Sequence, residues 1–173
     1  MYFDTTLLWL LGVAALGWFW HANLQVRERA TRAAKIADGD TFWHRMGDVG
    51  YMDEDGRLWF CGRKSHRVQT AEGTLYTIPC EAIFNTHVQV KRSALVGVGK
   101  PGQQTPVIVI ETEGSVDQKI LTEELLALGA AHNVTQTIRQ VKYHPAFPVD
   151  IRHNAKINRE QLTKWARSAR GEL

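Results

Sequence analysis

The sequence predicts a small α+β fold, a central sheet flanked by helices, preceded by a β-hairpin and a long apolar N-terminal helix. Three observations carry that expectation. Two short β-branched runs, SALVGV at 93–98 and PVIVI at 106–110, are separated by the loop Gly99-Lys100-Pro101-Gly102. Downstream, Ile120, Leu121, Leu125 and Leu128 recur at helical spacing. Upstream, Tyr51-Met52 and Leu58-Trp59-Phe60-Cys61 flank Asp53-Glu54-Asp55-Gly56, the pattern of a hairpin closed by Asp-Gly.

In chain order, residues 5–22 (TTLLWLLGVAALGWFWHA) contain no Asp, Glu, Lys or Arg. That length is near the lower limit of roughly 17 to 25 residues for a membrane-spanning helix. Trp18 and Trp20, then Arg27, Arg29, Arg32 and Lys35, fit an aromatic belt and a positive-inside flank, which would leave the C-terminal bulk in the cytoplasm. A buried core helix is the alternative. A signal peptide fits less well, since Asp4 stands where a positive charge is expected. Residues 25–35 continue as helix, with strong helix formers and neither Gly nor Pro.

Asp38-Gly39-Asp40 marks a turn, after which the hairpin pattern begins. Val68 leads into a loop at Gly73, and Pro79 opens a short helix with Glu81 close behind. The two β-branched runs, a helix within 116–132 and a third strand over 138–143 follow. After Pro145 and Pro148 the chain reads as irregular, then as a final helix from about Arg159 to Ala169. The order implies one sheet and three segments: an N-terminal helix over 1–37, a hairpin over 38–63 and a C-terminal domain over 64–173.

Charge excludes one function class. Of the net +3, residues 1–37 contribute +2 (Arg27, Arg29, Arg32 and Lys35 against Asp4 and Glu28), and the other 136 residues only +1. Nucleic-acid binding would need a basic stripe on the folded part, and none is visible. Cys61 and Cys80 show no metal-ligand spacing with any histidine and fit a reduced, cytosolic setting.

Met46-Gly47-Asp48 precedes the hairpin and Gly62-Arg63-Lys64 follows it. A carboxylate beside glycine can accept hydrogen bonds from a ribose diol, and an arginine one hairpin away can offer a fixed charged fork. Alone, each pair is common in turns. The whole run from 43 to 64, WHRMGDVGYMDEDGRLWFCGRK, resembles the adenylate-forming superfamily of acyl-CoA synthetases, luciferases and peptide-synthetase adenylation domains. So do Gly73, the segment Pro79-Cys80-Glu81 and the stretch 147–159, FPVDIRHNAKINR. The resemblance implies that Asp48 binds the ribose hydroxyls of ATP or AMP and that Arg63 contacts the same nucleotide. It also implies an inter-domain hinge at Lys64 and Ser65, and a catalytic lysine at Lys156. Magnesium accompanies ATP in that family. His66 reads as a polar hinge-loop residue rather than a base.

The phrases TFWHRMGD (41–48) and RHNAK (152–156) look most like olefin-pathway β-lactone synthetases. Those enzymes activate a 2-alkyl-3-hydroxy fatty acid with ATP, and the 3-hydroxyl then displaces AMP to close the lactone. Met46 departs from the usual Thr before Gly-Asp, and Ser65-His66 from the usual residues after the hinge. The first 35 residues resemble small proteobacterial membrane-anchored proteins of unknown function. Nothing in the sequence resembles the phosphate-holding loop of the ligase family, so these residues are not expected to activate an acid on their own. Three expectations stay open. The chain is an inactive C-terminal ligase remnant, or an enzyme half acting in trans with a separately encoded ATP-binding domain, or a membrane-tethered interaction module with residues 5–22 as its tether.

Overall fold

The computed structural model describes residues 5–150 and 153–168, with side chains from residue 14 onward except at 153–155. The chain forms two compact units, Met1–Met46 and Gly47–Leu173. Residues 48–63, which carry the expected hairpin, fall in the second unit.

In the first unit, helix α1 runs from Thr5 to Ala34. The helix stops at Ala34, one residue short of the expected stretch. Strands β1 (Lys35–Asp38) and β2 (Thr41–His44) then pair antiparallel. The expected turn is there, with Gly39 at φ +57°, but the strands around it were not expected. They are tied locally: Trp43 Nε1 donates to Asp38 Oδ2 at 2.7 Å, and the Lys35 ammonium lies 4.1 Å from the Phe42 ring centroid. The apolar run 5–22 lies only partly among residues with described side chains. Among the described residues no helix is long and apolar enough to cross a membrane, so the expected span is not supported there.

In the second unit, β3 (Asp48–Met52) and β4 (Leu58–Arg63) form the expected hairpin, with a bulge between Val49 and Gly50. The side chain of Asp53 clasps its turn, accepting from the backbone N–H of Asp55 and Arg57, from Arg57 Nε and from Trp59 Nε1 at 2.7–3.1 Å. These donors, Trp59 and Arg57 foremost, hold its carboxyl below the usual aspartate value. Gly62 sits at φ +113° against Thr77, where a Cβ would strike the threonine hydroxyl. This is where the hairpin meets helix α2 (Thr77–Phe84). That helix begins two residues before Pro79, which still lies in the first turn, where a missing N–H costs nothing.

A 3-10 turn, Lys64–His66, leads to the short strands β5 (Val68–Gln69) and β6 (Thr74–Leu75). Strands β7 (Val90–Val98) and β8 (Thr105–Thr112) pair antiparallel. Helix α3 (Gln118–Ala130) then carries the chain to β9 (Gln140–Tyr143), parallel to β8. Asp117 caps α3 by accepting from the N–H of Lys119 and Ile120. The stretch read as irregular holds a further hairpin, β10 (Val149–Asp150) and β11 (His153–Ile157), before helix α4 (Arg159–Ser168).

The single sheet expected is thus, among the described residues, a three-stranded sheet in the order β7-β8-β9 and four separate two-stranded ladders, β1–β2 in the first unit and the other three in the second. Its middle strand is buried on both faces, which is why it reads as an unbroken apolar run. Ile108 and Ile110 pack with Leu95, Phe84, Leu121, Leu125 and Ile138 on the α2–α3 side. Val107 and Val109 pack with Ala94, Val96, Phe147, Leu162 and Ala166 on the α4 side.

Candidate functional site

Asp48 and Arg63 are cross-strand partners at the open end of the β3–β4 hairpin. Their side chains meet, Arg63 Nε lying 3.1 Å from Asp48 Oδ1, and both are substantially exposed. Gly47 takes φ +76° just before Asp48, and its carbonyl accepts from the N–H of Lys64 at 2.8 Å. The hairpin register therefore brings together two residues that stand 15 positions apart. Lys64 and Ser65 open the 3-10 turn and are exposed. With Gly47, Arg63 and Arg67 they line an open cleft of about 420 Å3. A smaller pocket of about 100 Å3 is lined by Ser65, His66, Arg159 and Glu160 among others.

Lys156 projects from β11 and is exposed; Arg152 and the side chains of His153 and Asn154 lie outside the described residues. Lys156, Arg63 and Arg159 all bear on His66, which is half-buried in the turn. Burial first, then the positive charges of Arg159 and Arg63, push His66 below its ordinary value of 6.5; Lys156 adds to this and Glu160 opposes it. An uncharged imidazole there adds no further positive charge beside those cations.

Two buried carboxylates were not singled out from the sequence as site residues. Glu81 takes a two-pronged bond from Arg159, Nη1 to Oε1 at 2.5 Å and Nη2 to Oε2 at 2.8 Å, and also accepts from Leu95 N–H at 2.7 Å. Glu111 accepts from Lys91, from Arg92 Nε at 2.8 Å and from Phe147 N–H at 2.7 Å. Burial works to raise the Glu111 carboxyl, but these donors outweigh it and bring it down to about 2. Glu81 and Arg159 are 78 positions apart, so only the Pro79-x-Glu81 and Lys156…Arg159 segments hinted at either. Cys80 is buried beside Glu81, and burial first, then that charge, pushes its thiol up to about 12. Such a thiol is inert as a nucleophile at neutral pH. Among the described residues no group of three or more His, Cys, Asp or Glu could hold a metal ion.

The chain is 56% identical over 152 residues to an olefin β-lactone synthetase of Xanthomonas campestris pv. campestris, a match covering 83% of this chain and 27% of that protein. It is 33% identical over 107 residues to a 2-succinylbenzoate–CoA ligase of Bacillus pumilus, covering 61% of this chain and 20% of the ligase. The solved structure of an amide bond synthetase from Marinactinospora thermotolerans superposes with a TM-score of 0.64 at 26% identity, over 80% of this chain and 27% of that one. The chain thus spans about a quarter of the length of the curated relatives it matches. No protein-family profile matches it.

Proposed function

Because the chain matches the C-terminal region of adenylate-forming ligases, we propose that it supplies the lysine-bearing part of an ATP-dependent acid ligase acting on 3-hydroxy fatty acids. The observation that carries this reading is the 56% identity to an olefin β-lactone synthetase over most of the chain. In the first step, a carboxylate oxygen bonds to the α-phosphorus of ATP and pyrophosphate leaves. In the second, the substrate's 3-hydroxyl attacks the acyl carbon, loses its proton and expels AMP, closing a four-membered lactone. Negative charge builds on the carboxylate and α-phosphate oxygens in the first step, and the Lys156 ammonium stabilises it. Asp48 accepts from the ribose hydroxyls and Arg63 contacts the nucleotide. Lys64 and Ser65, in the 3-10 turn between them and the rest of the unit, give the hinge that lets the lysine enter and withdraw. The phosphates need backbone donors from an ATP-binding domain, so these residues alone do not adenylate.

ATP–pyrophosphate exchange with a 3-hydroxy fatty acid, measured with and without an ATP-binding domain from a related synthetase, tests this. The chain alone gives no exchange. With that domain, exchange appears and falls about 10²–10³-fold on Lys156→Ala, the scale for removing one transition-state donor. AMP release by the chain alone above a Lys156→Ala control overturns the reading, as does exchange indifferent to Lys156. A second reading, an interaction module without chemistry, is favoured by the exposed apolar residues Met52, Leu58 and Phe60 on the hairpin. It predicts binding of such a domain without exchange.

A further inference from the structure

We infer that Glu111 and Glu81 are positioning residues for Lys156, two buried posts that hold the β10–β11 hairpin at its two ends; the inference rests on Lys156 being the lysine of the proposed ligase. The hairpin is small, and a short two-stranded ladder is marginal by itself in water. Yet it carries an exposed ammonium that has to be delivered to one place.

The structure holds it from both sides. At the leading end, Phe147 N–H donates to Glu111 Oε2, while Arg92 Nε donates to the same oxygen and its guanidinium lies 5.3 Å from the Phe147 ring centroid. Glu111 belongs to β8 and is 2% exposed, so this post is part of the rigid sheet. At the trailing end, Arg159 begins α4 three residues after Lys156 and is forked onto Glu81 of α2. Glu81 is fixed in turn by Leu95 N–H of β7. Between the posts, Asn158 N–H donates to Pro148 carbonyl oxygen at 2.7 Å and pinches the base of the hairpin shut.

Apolar side chains at these places would hold the layers together as well. A buried ion pair is seldom better for stability than a packed apolar pair, but it fixes direction, which an apolar contact does not. Both carboxylates thus act on the geometry of the hairpin more than on the stability of the sheet. Glu81 and Glu111 each bond to a charged partner and to a backbone N–H, so the hairpin is fixed to the sheet at both of its ends.

Hydrogen exchange on the intact chain, in the absence of any nucleotide, separates this inference from the adenylation reading, because it needs no activity. The amides of Ile157 and Asn158 report the hairpin, and those of Ile108 and Val109 report the sheet. In Glu111→Leu, and in the apolar pair exchange Glu81→Met with Arg159→Leu, the hairpin amides exchange at least about tenfold faster while the sheet amides keep their protection. Glu111→Gln keeps an acceptor for Phe147 N–H and folds more safely; it stays within about threefold of the parent chain. Unchanged hairpin exchange in Glu111→Leu removes the leading post from the account, and in the pair exchange the trailing post. Acceleration of sheet and hairpin by one common factor overturns the inference, since the carboxylates are then plain contributors to stability. A Glu111→Gln chain as loose as Glu111→Leu overturns the leading post as well.

Discussion

Two hairpins in the C-terminal unit differ in what surrounds them. In β7–β8, residues 107–110 are no more than 1% exposed, covered by α2 and α3 on one face and α4 on the other. In β3–β4, Leu58 is 76% exposed and Phe60 53%, and burial begins only at Cys61. Both are antiparallel ladders with turn chemistry that suits them, so local sequence is equally good in each. What separates them is area removed from water. At roughly 25 cal/mol per Å2 of apolar surface, the inner hairpin draws its stability from its neighbours. The outer one rests on its Asp53 clasp, a stacked pair of Tyr51 and Trp59 with ring centroids 6.4 Å apart, and the seam at Gly62. Stability therefore concentrates around β8, while the residues proposed to meet nucleotide, Asp48 and Arg63, sit on the less supported ladder.

The largest effect that sharpens this comparison is a cavity in the inner hairpin. Ile108→Ala removes a fully buried side chain from the α2–α3 core and is expected to cost about 2–5 kcal/mol in urea unfolding. A cost below about 1 kcal/mol would mean that the sheet is not the stable centre of the unit.

A smaller effect comes from acid. The Glu111 carboxyl lies at about 2 in the folded chain against an ordinary value of 4.5. Its folded value is depressed, so its contribution is fully present above about 4.5 and is lost as pH falls toward about 2. Unfolding free energy measured between pH 5 and 2 should lose that slope in Glu111→Gln. An identical pH slope in both chains would show that the Lys91, Arg92 and Phe147 donors do not hold the charge.

Much of this was legible in the sequence where the signal is local. The Asp-Gly turn placed β3 and β4, the spacing of Leu121 and Leu125 placed α3, and the apolar run at 106–110 placed β8. The sequence of the β10–β11 hairpin reads as irregular because two prolines stand just before it and its strands are only two and five residues long. Its support is non-local, from Glu111 and from the Glu81–Arg159 fork, and no short window of sequence contains both partners. The β1–β2 pair is hidden in the sequence for a different reason: strong helix formers run to its edge at Lys35, and helix propensity alone does not say where the helix stops. Of the site, the register of β3–β4 explains why Asp48 and Arg63 meet, and the hairpin pattern already implied it. The half-buried state of His66 among cations needed the fold.

The smallest expected effect on stability is at the outer hairpin itself. Leu58→Ser exchanges a side chain that is mostly in water already, so unfolding free energy should change by no more than about 0.5 kcal/mol. Its consequence lies elsewhere. Leu58 pairs with Met52 in the β3–β4 register, and both point mostly into solvent beside Trp59 and Phe60. An apolar ladder with an uncovered edge invites another chain to cover it. Removing Leu58 should therefore reduce concentration-dependent association in sedimentation velocity while leaving the melting temperature in place. If Leu58→Ser instead unfolds the chain as Ile108→Ala does, the outer hairpin is as deeply supported as the inner one and the contrast between them fails. If association is unchanged at equal stability, the exposed aromatics are not an interaction surface, and the second reading of the chain, as a binding module, loses the observation that favours it.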